Sequence, residues 1–240
     1  MRYIEKQFDA PAVLTHEANL VSCKLDEASL LSPDNLYPNY TGAQLYELVR
    51  DMETIPDLKK QLFEDQGGIC CYCGMKLEYP FDPQYRVEHV RPKETCRELV
   101  GEYKNLLLSC KATKEEIDAR NKAPKKKRKD MMHCDEAKGP AEIMYSPLNP
   151  DCEKAYIYNL QGEVKGLNEN AKMDIETLGL DCAYLKRRRK EALDVLYDDD
   201  ELLPEELLRA YKEKVLIRDE DNKLSEFCFV IANVIEQIIS

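Results

Sequence analysis

No apolar run in this sequence approaches the ~20 residues that a membrane-spanning helix needs, so no membrane span is expected. The opening stretch, Met1-Arg2-Tyr3-Ile4-Glu5-Lys6, lacks the apolar core of a secretion signal, which makes a cytoplasmic location the expectation. An excess of positive charge is missing too. The formal net charge is −11, against a protein that holds nucleic acid over its whole surface. Histidine is scarce, at 3 residues, and only His89 and His133 fall in the central block. No segment repeats another.

What is present points elsewhere. With 240 residues the chain can bury a full core and hold one large domain or two small ones. Hydrophobic residues at 43% and charged residues at 34% suit a soluble, rather polar globular protein. The 10 cysteines, in a chain without a secretion signal, favour thiols or metal over disulfides. Charge is uneven: residues 1–66 carry 6 basic and 12 acidic side chains, and residues 191–240 carry 5 and 14. The stretch between them is therefore +4, flanked by −6 and −9. A basic centre between acidic ends suits a site that meets phosphate while the ends meet a protein partner.

The expected fold class is α+β, mainly helical. Residues 1–66 read as an N-terminal arm with turn signals at 9–11, 32–35 and 37–40, then a helix from Thr41-Gly42 to about Met52 and another capped by Asp57. Residues 67–140 read as a metal-pinned core. It has short strands at Tyr85–His89 and Asn105–Leu108, and a polar, strongly basic insert at 111–133. Residues 141–240 begin as a short extended stretch through Tyr156 and Tyr158. Helices are expected from Asp181 to Tyr197, from Pro204 to about Ile217 and from about Asn222 onward. The last carries an apolar stripe (Leu224, Phe227, Cys228, Ile231, Val234, Ile235, Ile238) that packs into a helical bundle by default, or against a partner.

Four cysteines fall where a zinc site wants them: Cys70 and Cys73 in a CxxC turn, Cys110 at a strand end, and Cys134 at a helix start. The 23 residues between Cys110 and Cys134 depart from the usual spacing and leave His133 as a rival ligand to Cys134. The other six (Cys23, Cys71, Cys96, Cys152, Cys182, Cys228) read as buried apolar residues. Beside the four lie groups suited to cutting a phosphodiester, which needs a base for the water's proton and a cation for the leaving oxygen. His89 suits the base role, Glu88 and Asp135 offer oxygen ligands to Mg²⁺ or Mn²⁺, and Asn105 could hold the loop that carries His89.

In order, CxxC, acid–His, Asn-Leu and Cys…Cys-Asp-x-x-Lys-Gly, these motifs resemble HNH (ββα-metal) endonucleases. The fuller wording is Gly68-Ile69-Cys70-Cys71-Tyr72-Cys73-Gly74, Val87-Glu88-His89-Val90-Arg91-Pro92-Lys93 and His133-Cys134-Asp135-Glu136-Ala137-Lys138-Gly139. It is similar to the HNH nucleases of Septu-type and retron-associated antiphage systems (PtuB-like), over about residues 66–140. That resemblance implies a bacterial protein with a zinc-pinned ββα-metal core. Its partner would be an ABC/SMC-like ATPase subunit, with a retron reverse transcriptase and its RNA–DNA as further company. By position it gives His89 the base role, Glu88 and Asp135 the catalytic metal, and Asn105 the orienting role. Glu88 stands where Asp is commoner, and Asp135 where His or Asn is commoner. Substrate contacts are expected from Arg91, Lys93, Lys138 and the insert's run Lys125, Lys126, Lys127, Arg128 and Lys129, whose text also resembles a nuclear import signal. The expected substrate is DNA or structured RNA such as tRNA. The run Lys186-Arg187-Arg188-Arg189-Lys190 wraps a whole helix, and internal pairing, for example with Asp198-Asp199-Asp200, is its first reading. Two competing functions stand beside the nuclease: an inactive zinc-stabilised nucleic-acid-binding or scaffold module, and a redox-sensing thiol protein.

Overall fold

Turn chemistry sets the first elements of this computed structural model, which describes residues 1–6, 41–50, 55–78 and 85–240. The turn signals at 9–11, 32–35 and 37–40, and Cys23, lie outside the described residues. Helix α1 (Gly42–Arg50) starts behind Thr41, whose Oγ1 accepts the Gln44 N–H at 3.2 Å. Helix α2 (Ile55–Asp65) begins two residues before the expected cap at Asp57. It ends where Gly67 and Gly68 take left-handed φ of 62° and 69°. A Cβ on Gly67 would lie 2.7 Å from the Leu224 side chain, so the turn is closed by packing as well as by φ.

Strand β1 (Tyr85–His89) pairs antiparallel with β2 (Leu106–Cys110), setting His89 opposite Leu106 and Tyr85 opposite Cys110. Asn105, expected on the strand, instead closes a 3-10 turn just before it. The insert is not a plain loop. Thr113 and Glu116 form a reciprocal capping box that starts helix α3 (Lys114–Lys122), followed by two 3-10 turns over Lys125–Met131. Helix α4 (Cys134–Lys138) is short and sits against β2.

A second hairpin, β3 (Tyr156–Tyr158) with β4 (Val164–Gly166), leads into helix α5 (Glu169–Thr177), whose cap is the Asn168 carboxamide. The buried Asp174 carboxylate fixes α5 by accepting Met144 N–H, Tyr145 N–H and the Tyr156 hydroxyl. Helix α6 (Ala183–Leu193) stops short of Tyr197. The chain there turns into a two-residue hairpin, β5 (Tyr197–Asp198) with β6 (Glu201–Leu202). Asp199 and Asp200 both have positive φ, as a primed hairpin turn demands. These aspartates are therefore turn residues, and the basic run on α6 pairs elsewhere. Lys186 meets Asp181, Arg187 meets Glu115 and Glu191, Arg188 forks onto Glu226, and Lys190 meets Asp194. Arg189 is 1% exposed and donates to the Gly162 and Leu180 carbonyls.

Helix α7 (Glu205–Leu216) packs on α8 (Cys228–Ile239). The last helix starts later than Asn222 because Asn222 and Phe227 both take left-handed φ, which an α-helix does not admit. Its expected apolar stripe is core: Leu224, Phe227, Cys228, Ile231, Val234 and Ile235 are buried, and Ile238 packs partly buried against them. One buried cluster runs from Met1 and Ile4 through Leu106, Leu107 and Leu108 to Ile235. The fold is α+β, about half helical, with small antiparallel sheets. No described helix is long and apolar enough to cross a membrane.

Candidate functional site

Four thiols meet at the base of the β1–β2 hairpin. The CxxC turn is closed by Gly74 N–H donating to the Cys70 carbonyl at 3.1 Å, with Gly74 at φ 83°. Backbone N–H groups aim at two of the sulfurs: Cys110 N lies 3.4 Å from Cys70 Sγ, and Met75 N 3.5 Å from Cys73 Sγ. All four Sγ atoms, of Cys70, Cys73, Cys110 and Cys134, lie within 4.8 Å of one another and are buried. The closest pairs are 3.6 Å (Cys73–Cys110), 3.7 Å (Cys110–Cys134) and 3.8 Å (Cys70–Cys134). A tetrahedron with Zn–S bonds of ~2.3 Å has S···S edges of about 3.8 Å, so the cluster has the dimensions of a zinc site. Burial pushes the Cys73 and Cys134 thiols up, while at Cys70 burial is outweighed by hydrogen bonds from the neighbouring thiols, which hold the group well below the ordinary thiol range.

Cys134 reaches the cluster at a backbone cost. Its φ of 56° is left-handed for a residue with a Cβ, worth roughly 1–3 kcal/mol, and its N–H is held by the Leu178 carbonyl at 2.7 Å. His133, the rival ligand, stands behind the cluster. Its Nδ1 lies 3.4 Å from Cys134 Sγ and 3.7 Å from Cys110 Sγ, while Nε2 meets Glu116 Oε1 at 2.7 Å. Burial pushes the Glu116 carboxyl up, but His133 and Thr113 more than offset it and hold it below the usual range. The insert helix thus leans on the cysteine cluster through Glu116 and His133, and on α4 through Arg120–Glu136.

On the other side of the hairpin lies a cleft of about 680 Å³. His89, Glu88, Asp135, Lys93 and Lys138 all line it. His89 ends β1, and its Nε2 lies 3.1 Å from the Val100 carbonyl, which makes Nε2 the protonated nitrogen and leaves Nδ1 as acceptor. Burial, with Lys93 and Lys138 adding to it against the Val100 carbonyl, lowers its pKa to about 4, so the ring is neutral near pH 7. The edge of the Tyr46 ring packs on it at 4.9 Å between centroids. Asn105 does not touch the imidazole. Its Oδ1 accepts Arg91 N–H at 2.8 Å, and its Nδ2 donates to the Arg91 and Leu99 carbonyls, which closes the loop that supplies Val100.

Glu88 is buried, and its Oε1 accepts both the Tyr72 hydroxyl and the Lys138 ammonium at 2.8 Å. Burial, then the nearby Asp135 carboxylate, push its pKa up to about 8, with Lys138 opposing both. Asp135 is half-buried and accepts Arg86 Nη1 at 3.1 Å. As a donor set for a hard divalent ion the two acids fit unequally. Asp135 faces the cleft with one cationic neighbour, whereas both acceptor positions of Glu88 Oε1 are already taken. Among the described residues, the cysteine tetrad is the one group of three or more metal-ligating side chains brought together.

Several expected phosphate contacts are not available to a substrate in this cleft. Lys138 is 3% exposed and ion-paired, so it is not a surface contact. Arg91 lines a hollow on the far side of its loop, beside Asn105 and Leu148. None of Lys125, Lys126, Lys127, Arg128 or Lys129 lines the cleft. Arg128 instead donates to the Ala123 and Asn121 carbonyls. The cleft's own cations include Arg50, Lys59, Arg86 and Lys111. Of these Arg86 had a readable signal, since it stands two residues before Glu88 and shares its strand face. Set beside known proteins, the chain matches no family model, and no curated protein matches it.

Proposed function

We propose that the chain is a metal-dependent HNH-type endonuclease that hydrolyses phosphodiester bonds, with Cys70, Cys73, Cys110 and Cys134 as its structural zinc site. The observation that carries this reading is the convergence of His89, Glu88 and Asp135 on one basic-lined cleft beside the four thiols. Nδ1 of the neutral His89 takes the proton of the attacking water, while the Val100 carbonyl keeps the ring from turning. Asn105 holds the loop in that geometry. Asp135, with Glu88 behind it, is the side on which a Mg²⁺ or Mn²⁺ ion would be held. Such an ion supplies charge stabilisation at the scissile phosphate and leaving oxygen. The sequence resemblance adds a role as the effector of a bacterial antiphage complex with an ABC/SMC-like ATPase.

The test is direct. The purified chain, alone and with such an ATPase, is incubated with plasmid DNA and with total RNA, with and without Mg²⁺ or Mn²⁺. Divalent-dependent nicking or cleavage is expected, and absence of cutting on every substrate in both states removes the reading. The zinc-stabilised binding module would then take its place, supported by the closed, buried tetrad that such a scaffold also needs.

A further inference from the structure

The Glu88–Lys138 pair is the most deeply buried ion pair beside the cleft, with side-chain exposures of 3% and 1%. A buried pair of this kind stabilises little in itself, yet removing one partner strands the other charge. The Lys138 ammonium is held from two sides, by Glu88 Oε1 at 2.8 Å and by the His89 carbonyl at 3.0 Å. It therefore bridges the side chain of one candidate catalytic residue and the backbone of the next. Around it stand Asp135, with Arg86 on its outer oxygen at 3.1 Å, and the Tyr72 hydroxyl on Glu88. Two acids against two bases leave this group with no net negative charge before any metal arrives. A divalent ion added to it leaves an excess of positive charge that only an incoming phosphodiester offsets.

We propose that Lys138 is a built-in cation of the site, occupying Glu88 in competition with a divalent ion. The ion is then bound through Asp135 and the substrate phosphate rather than by a preformed pair of carboxylates. This inference rests on the nuclease reading for the identity of the substrate, but not for the charge competition itself. It makes Lys138 a positioning residue. It holds Glu88 and the His89 backbone together when no ion is present, and keeps the metal-free site closed to adventitious cations. Such a site suits Mg²⁺, which sheds water reluctantly and is commonly held by one or two carboxylates together with substrate phosphates.

The experiment titrates Mn²⁺ into the full chain and follows free Mn²⁺ by electron paramagnetic resonance. The proteins are the wild type, Lys138→Met, Glu88→Gln and the double variant. The wild type is expected to bind weakly. Lys138→Met frees Glu88 and should bind Mn²⁺ about tenfold more tightly or better, because one unit of positive charge has left a site of low dielectric. Adding Glu88→Gln should abolish that gain. Equal Mn²⁺ affinity in the wild type and Lys138→Met overturns the proposal. Melting temperatures close the remaining gap. If Lys138→Met is too unstable to titrate, the double variant should regain much of the loss, since its buried groups are neutral. A double variant as unstable as Lys138→Met would show that the ammonium serves something other than Glu88. Neither readout involves cleavage, so a chain that cuts nothing still tests the pairing, and a cutting chain without the Mn²⁺ effect rejects the pairing alone.

Discussion

Burial does two things to His89: it weakens the ring as a base, to a pKa of about 4, and it guarantees that the base form is present in neutral solution. The Val100 carbonyl then fixes which nitrogen is free. His89→Ala should accordingly lower cleavage by about 10²–10⁴-fold while zinc content stays near wild type and the chain remains folded, with a lower melting temperature for the lost buried ring. An alanine variant that still cuts at the wild-type rate would remove the proposed base. Lys6 shows the opposite use of burial. Its ammonium is 8% exposed, 3.5 Å from Asp65 and 4.1 Å from the centre of the Tyr103 ring. Desolvation lowers its pKa to about 8, against the attraction of Asp65. Between about 8 and the ordinary lysine value, the unfolded chain holds a proton that the folded chain has released. Stability from this group therefore rises with pH across that window and is lower below it. Thermal melts at pH 7.5 and pH 10 check this: the wild type should gain on Lys6→Met at the higher pH, and a constant difference would mean that Lys6 is hydrated.

The cysteine tetrad is a joint between elements, and its fate should be read in how they stay together. Metal analysis should find about one zinc per chain, and Cys73→Ser should lower both zinc content and melting temperature, because ligand loss removes folding energy. A folded, zinc-free wild type would refute the site. Beside the thiols, Gln66 is a second clasp. From the end of α2 its Nε2 donates to the Ile69 and Leu108 carbonyls, and its Oε1 accepts Leu108 N–H at 2.6 Å. Gln66→Leu leaves the Ile69 carbonyl and the Leu108 N–H without partners, at roughly 1–3 kcal/mol each, while the Leu108 carbonyl keeps the Cys71 N–H. Its melting temperature should fall by more than a surface change would cost, and zinc should be lost to a chelator faster. The two strands and the cysteine spacing were legible from local signals: the alternation of Tyr85 and Val87 with Arg86 and Glu88 in β1, the short apolar run Leu106-Leu107-Leu108 in β2, and the CxxC turn. The insert was harder. Thr113 and Glu116 do spell a capping box, but the dense lysines around them read as loop, and Glu116 has its deeper role only through His133, 17 residues away. Helix α5 escaped for a related reason: Asn168 is a sound cap, yet what holds α5 is Asp174 reaching back to Met144 and Tyr145. Lys138 was misread because a lysine in sequence looks solvated, and only the tertiary pairing with Glu88 buries it.

Over the whole molecule, charge should decide where a polyanion lands. The flanks at −6 and −9 repel it overall, and two places attract it: the lysine run of the insert, and the cleft, to which the N-terminal flank itself lends Arg50 and Lys59. The run is the denser patch in sequence, but the cleft is the place where cations share a wall with His89 and Asp135. Lys59 comes from α2 and Lys93 from the loop after β1, the latter with its ammonium 5.3 Å from the centre of the Tyr46 ring. Residues far apart in sequence thus build one cation-lined surface, which no linear scan for basic runs detects. Lys59→Ala combined with Lys93→Ala should weaken nucleic-acid binding and flatten its dependence on salt, by roughly 0.9 in the logarithmic slope for each phosphate no longer neutralised. Lys126→Ala combined with Lys127→Ala removes the same formal charge from exposed positions outside the cleft, and should leave the slope close to wild type. Binding measured across a salt series for both pairs separates local phosphate pairing from general electrostatic attraction. If the insert pair flattens the slope as much as the cleft pair does, the substrate spans both surfaces. The strand would then have to cross the 3-10 turns of the insert on its way to His89.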